Sequence, residues 1–212
     1  MLRKYIPTLS IAALILLAAC ATKPESDVDT PEYHYKAGMR AVENMDYQQA
    51  IKSFQRSVDL DSKFALGFGG LGLANARLGN NKEAKKFAST CASKGSKDSD
   101  ALALSARVWI NMRETEKKWF NRAEGHLKKS LKRDKEHEGS QYWYGAAYLY
   151  SYKFNEAEDY FRLVVNKRGE YSGLADSKWK LSQKIVRAMP GTPVGKKVAL
   201  KQNLNLDLCL GW

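Results

Sequence analysis

The chain is poor in the residues that carry most recognisable chemistry. Only three cysteines and three histidines occur in 212 residues. Three cysteines are too few for a disulfide-stapled scaffold. His34, His126 and His137 have neither metal-ligand spacing nor a nearby cysteine, so no zinc site is legible. Lys135-Glu136-His137-Glu138 lacks the second histidine of a metalloprotease helix. Gly67 to Gly72 (GFGGLG) has the glycine spacing of a phosphate loop but not its Lys-Ser/Thr pair. No catalytic constellation emerges, no cofactor is implied, and the chain does not read as an enzyme. Five prolines and 44% hydrophobic residues suit an ordered globular chain.

What is abundant is positive charge. The 35 basic residues less Arg3 and Lys4, which lie in a removable leader, leave 33 against 23 acidic ones, a net of +10. Such a surface attracts anionic partners of several kinds, and charge by itself does not choose among them. A solvated helical face explains many of these lysines without any ligand.

Arg3 and Lys4 precede Ile6–Ala19, a stretch of 14 residues without charge. A membrane-spanning helix needs roughly 20 apolar residues, so this reads as an export signal. It ends in Leu17-Ala18-Ala19-Cys20, which resembles the lipobox of bacterial lipoproteins. The resemblance implies cleavage before Cys20 and diacylglyceryl attachment to its sulfur. Ala21, rather than Asp, follows the cysteine, which implies an outer-membrane destination facing the periplasm in a Gram-negative cell. An ordinary signal cut at an Ala-x-Ala-like site remains the alternative. Residues 1–19 are thus the expected signal peptide and 20–30 a polar tether reaching roughly 15–20 Å as coil.

Beyond the tether the chain repeats. Ala50-x3-Phe54, Ala84-x3-Ala88, Ala123-x3-Leu127 and Ala157-x3-Phe161 each follow a segment with a small residue: Gly38, Gly72, Ser105 and Gly145. Ala50 to Ala84 and Ala123 to Ala157 are both separated by 34 residues, as are Gly38 and Gly72. These spacings resemble the tetratricopeptide repeat (TPR), whose units are 34-residue helix pairs. The resemblance implies an all-α, right-handed solenoid of about four helix pairs over residues 31–189. Small residues let paired helices approach, and stacking buries what one pair cannot. The third unit is stretched, with 39 residues between Ala84 and Ala123, the surplus falling in Asn111–Lys118 as a longer helix or a longer turn. Ala175, Trp179, Ser182, Val186 and Met189 recur at helical spacing and suggest a capping helix, with Lys178, Lys180, Lys184 and Arg187 on its wet side. Residues 190–212 read as an irregular tail, resembling a truncated linker of some bacterial repeat lipoproteins. Cys91 suits a buried small position, and a Cys91–Cys209 disulfide is left open.

In this family the concave groove is lined by particular positions of each first helix. Carried over, they are Tyr35, Met39, Val42 and Glu43, then Leu73, Ala76 and Arg77, then Tyr142, Ala146, Leu149 and Tyr150. Tyr142, Tyr150 and Arg77 are the expected anchors, because exposed Tyr and Arg are favoured at binding hot spots. The reading in which these aromatics only thicken the core stays open. The carboxylate-clamp pattern of chaperone-binding members is not reproduced. The implied role is a membrane-anchored interaction module binding a segment of another envelope protein, with no nucleic-acid partner. The alternative is a structural lipoprotein using its basic faces on anionic wall polymer or lipid.

Overall fold

A computed structural model describes residues 29–188. Cys20, the signal, most of the tether, Met189, the tail and Cys209 lie outside the described residues. Within them the chain forms nine helices and no strand: α1 (Pro31–Glu43), α2 (Tyr47–Leu60), α3 (Ala65–Arg77), α4 (Asn81–Lys94), α5 (Ser99–Asn111), α6 (Trp119–Arg133), α7 (Glu138–Tyr150), α8 (Phe154–Lys167) and α9 (Ser172–Ala188).

Short polar side chains set several helix starts. Thr30 accepts from the Tyr33 N–H at 3.2 Å, and Pro31 supplies a first helical residue that needs no amide hydrogen. Asp46 caps α2 through Gln49, and Asp98 caps α5 through Asp100 and Ala101. His137 caps α7: its Nδ1 accepts from the Ser140 N–H at 3.1 Å while Nε2 lies 3.0 Å from Asp100. The turns inside units one, two and four share one geometry, with Met45, Gly79 and Tyr152 at positive φ two residues past each helix. Gly79 adopts this conformation without strain; Met45 and Tyr152 hold it against their own Cβ. The third unit replaces that three-residue turn with Met112–Lys118, so its surplus is a longer turn and not a longer helix.

The helices form two layers. α1, α3, α5 and α7 pack on one another in succession, and each of α2, α4, α6 and α8 packs on its own partner and on the first helix of the next unit. The inner helices are therefore covered from several sides. All but Glu138 and Tyr148 of α7 are buried, whereas α6 buries only Ala123, Leu127 and Ser130. Small residues sit where the layers touch. Added Cβ atoms at Gly38 and Gly145 would come within 2.5 Å of the Phe54 ring and 2.8 Å of the Phe161 ring. Gly72 faces backbone: the Ala88 nitrogen at 3.3 Å and the Ala84 oxygen at 3.4 Å. The GFGGLG run is the buried interior of α3, so those glycines serve packing.

α9 occupies the place of a fifth unit's first helix, against α8. Its register differs from the sequence expectation. Ala175, Lys178, Ser182 and Ile185 are buried, while Trp179 and Val186 are only half-buried. Lys178, expected on the wet side, is 3% exposed. The cause is a second surface: α9 covers α8 and also turns toward the aromatic side of α7, where Lys178 Nζ lies 5.4 Å from the Tyr142 ring centre.

Candidate functional site

The inner layer and α9 border a partly open cavity of about 350 Å³. Its walls are Met39 and Glu43 of α1, Arg107 of α5, Tyr142, Trp143, Ala146 and Tyr150 of α7, and Glu170, Tyr171, Leu174 and Lys178 from the last turn and α9. Wall residues thus come from the first helix and from the last. Glu138 fixes the last turn: its Oε1 accepts from the Tyr171 N–H at 2.9 Å. Tyr171 then leans on Tyr142 with ring centres 5.0 Å apart, and Tyr142 meets Trp143 edge-on at 4.9 Å.

Each cavity-facing ring of α7 carries a cation. The Arg107 guanidinium lies 4.8 Å from the Trp143 ring centre, Arg113 lies 3.9 Å from that of Tyr150, and Lys178 covers Tyr142. Such contacts strengthen where water is excluded. Burial holds Arg107 below the usual arginine range and lowers Lys178 to about 8. Arg107 Nε is sealed from solvent without a hydrogen-bond partner among the described residues. A buried donor left unpaired carries a free-energy cost that a bound acceptor would remove. Burial raises the hydroxyl pKa of Tyr142 and Tyr171, so both stay neutral donors. The cavity combines apolar walls with sequestered positive charge, and the exposed Glu43 and Glu170 stand at its edge.

Of the seven proposed groove residues, Met39, Tyr142 and Tyr150 line this cavity. Tyr142 and Tyr150 are not the exposed anchors expected, being 4% and 8% exposed, because Tyr171, Lys178 and Arg113 lie against them. Leu73 and Leu149 have no exposed surface and are core residues, since inner helices are covered on both flanks. Tyr35 packs on Phe54 and Phe64, with ring centres 5.8 and 5.9 Å away. Arg77 is half-buried outside the cavity wall, its pKa lowered by burial. Sequence reasoning missed Arg107, Trp143, Tyr171 and the inward turn of Lys178. One signal was available: Arg107 is the only charge between Asp100 and Arg113, on a helix otherwise suited to burial.

No metal-binding cluster occurs among the described residues. His34 pairs with Asp29 at 2.7 Å, and burial pushes His126 down to about 4. Cys91 is a free, buried thiol, 3.2 Å from the Ala101 carbonyl and raised to about 12 by burial.

No protein-family model matches the sequence, and no curated protein matches it. Solved structures do. TTC0263, a thermophilic TPR protein of Thermus thermophilus, superposes with a TM-score of 0.61 at 15% identity, covering 84% of this chain and 94% of that one. The fold is that of a TPR solenoid. MamA is a looser match (TM-score 0.44, 14% identity, 82% of this chain and 95% of that one), as is PilF of Pseudomonas aeruginosa (0.33, 13%, 81% and 97%). At these identities the likeness concerns the TPR fold and not the ligand. No TPR helix among the described residues is long and apolar enough to cross a membrane.

Proposed function

We propose that this chain is a protein-interaction scaffold, held at the bacterial outer membrane through lipidated Cys20, whose cavity receives a segment of another envelope protein. The carrying observation is the wall of aromatic rings around Arg107, whose Nε has no hydrogen-bond partner among the described residues. That chemistry suits a segment presenting one acidic side chain flanked by apolar ones. The acidic group would meet Arg107 and Lys178, and its apolar neighbours would rest on Tyr142, Tyr171 and Leu174. The lipobox resemblance of Leu17-Ala18-Ala19-Cys20 supports the membrane placement.

The test uses a photo-crosslinking residue in place of Leu174, 49% exposed at the cavity, and another in place of Leu163, 47% exposed on α8. In intact envelopes the first should trap a discrete partner and the second should not. Arg107→Leu should abolish the Leu174 adduct while leaving the protein folded. Equal trapping from both sites, or an adduct indifferent to Arg107→Leu, would refute the cavity as the binding site.

A further inference from the structure

The positive charge of the described residues is concentrated. Residues 29–188 hold 29 basic against 20 acidic residues, a net of +9. α4 has four basic residues against Glu83, and α6 has five against Glu124, so two outer helices carry +7 of that net. On α6 the basic residues share one side. At 100° per residue, Arg122, Lys129, Lys132 and Arg133 fall within about 100° of arc, opposite buried Ala123 and Leu127. Among the described residues these four side chains are exposed, and a Cβ built at Gly125, in their middle, would meet no atom within 4 Å. Lys82 and Lys86 face outward on α4. α6 is anchored beside the turn that follows α4. Ser130 Oγ of α6 donates to the Ser99 carbonyl at 3.1 Å, just past the α4–α5 turn. At that junction a shallow hollow of about 630 Å³ is lined by Ser96, Lys129, Lys132 and Arg133.

Of the acids nearby, Glu124 pairs with Lys128, Glu116 with Lys85 and Glu83 with Lys86, and Asp134 accepts from the Glu136 N–H at 2.9 Å. Lys129, Lys132 and Arg133 enter no ion pair among the described residues. The kind of partner follows from what accompanies the charge. Protein interfaces are depleted of lysine and built around aromatic or apolar anchors. None of the exposed large hydrophobic side chains (Tyr33, Met45, Leu78, Leu163, Leu174) belongs to α4 or α6. A broad lysine surface without such anchors fits a diffuse array of negative charge instead.

We propose that the outer face of α4 and α6 docks on the headgroups of an anionic phospholipid bilayer, with Lys129, Lys132 and Arg133 gripping headgroup phosphates. This face lies on the outer layer and the cavity on the inner one, so membrane contact would leave the proposed partner site open. The proposal does not depend on the cavity reading.

The experiment is co-sedimentation of the full chain with phosphatidylglycerol-containing vesicles and with pure phosphatidylcholine vesicles, from low to high salt. The outer-face variant is Lys129→Glu, Lys132→Glu, Arg133→Glu. The control, Lys36→Glu, Arg40→Glu, Lys52→Glu, makes the same change in net charge at exposed positions of α1 and α2. The N-terminal segment is common to all three proteins, so differences between them report the altered faces. At low salt the wild type should prefer the anionic vesicles and lose that preference as salt screens the contact. The outer-face variant should bind them at least on the order of a hundredfold more weakly, at about fivefold for each of three basic residues lost, and the control should bind nearly as the wild type. Equal losses in both variants would make the effect one of net charge and overturn the face. So would an absent preference for anionic vesicles. Unchanged vesicle binding by the outer-face variant, with loss only of a cross-linked protein, would assign the surface to a protein partner instead.

Discussion

A Cβ added at Gly70 would stand 2.4 Å from carbons of the Phe54 ring, while one added at Gly125 would meet nothing within 4 Å. The same substitution should therefore act with opposite sign at the two sites. Gly125→Ala removes backbone freedom from an exposed helix interior and should stabilise the protein by about 0.5–1 kcal/mol. Gly70→Ala overpacks a fully buried ring and should destabilise by roughly 1–3 kcal/mol. Thermal melts of the two variants read both effects; equal shifts would contradict the packing described here. His126 gives a pH signature at the same scale. Burial, with Lys129 and Arg122 nearby, lowers it from 6.5 to about 4. Between those values the unfolded chain takes up a proton that the folded chain refuses. Stability should therefore fall as pH drops from 6.5 toward 4. His126→Leu should remove that share of the acid sensitivity in pH-dependent melts.

α9 is the element where pattern and packing diverged. Its apolar spacing announced an amphipathic helix, and the helix is there. Two faces compete for one side of it, however, and the stripe that won runs through Lys178. Its pKa falls from 10.5 to about 8 through burial. From pH 8 to 10.5 the unfolded chain holds this proton more firmly than the folded one, so stability should rise with pH across that window. Lys178→Met should flatten the rise in equilibrium unfolding; an unchanged slope would mean that Lys178 is solvated. Deleting α9 from Gly173 onward uncovers the apolar side of α8 and opens the cavity. Terminal repeats without a polar cover expose apolar surface, so the shortened chain should aggregate in size-exclusion chromatography. A soluble monomer of undiminished stability would remove the capping role.

For the molecule as a whole, the proposed placement at a membrane rests on Cys20. Replacing it with Ser should leave a full-length precursor that takes up no labelled palmitate, whereas the wild type is processed and labelled. Normal maturation of Cys20→Ser would sink the lipoprotein reading. The solenoid divides its surfaces by layer. The inner layer holds a cavity built from α1, α5, α7 and α9, and the outer layer holds the charge.

Much of this was determined locally. Ala50, Ala84 and Ala157, with Gly38, Gly72 and Gly145, announce helix pairs because close approach of two helices tolerates only small side chains at the crossing. That requirement recurs with each unit and so leaves a period of 34. Capping residues such as Asp46 and Asp98 are equally local, acting within three residues of themselves. The cavity is different. Met39 and Lys178 line one cavity although 139 positions of sequence separate them, and no period links them. Tyr142 and Tyr150 hold positions that stacking alone would leave open, yet the turn at Glu138 and the packing of α9 bring Tyr171 and Lys178 onto that wall. Burial, and with it the chemistry of Arg107 and Lys178, depends on everything packed around a side chain. Only the closed tertiary arrangement specifies that.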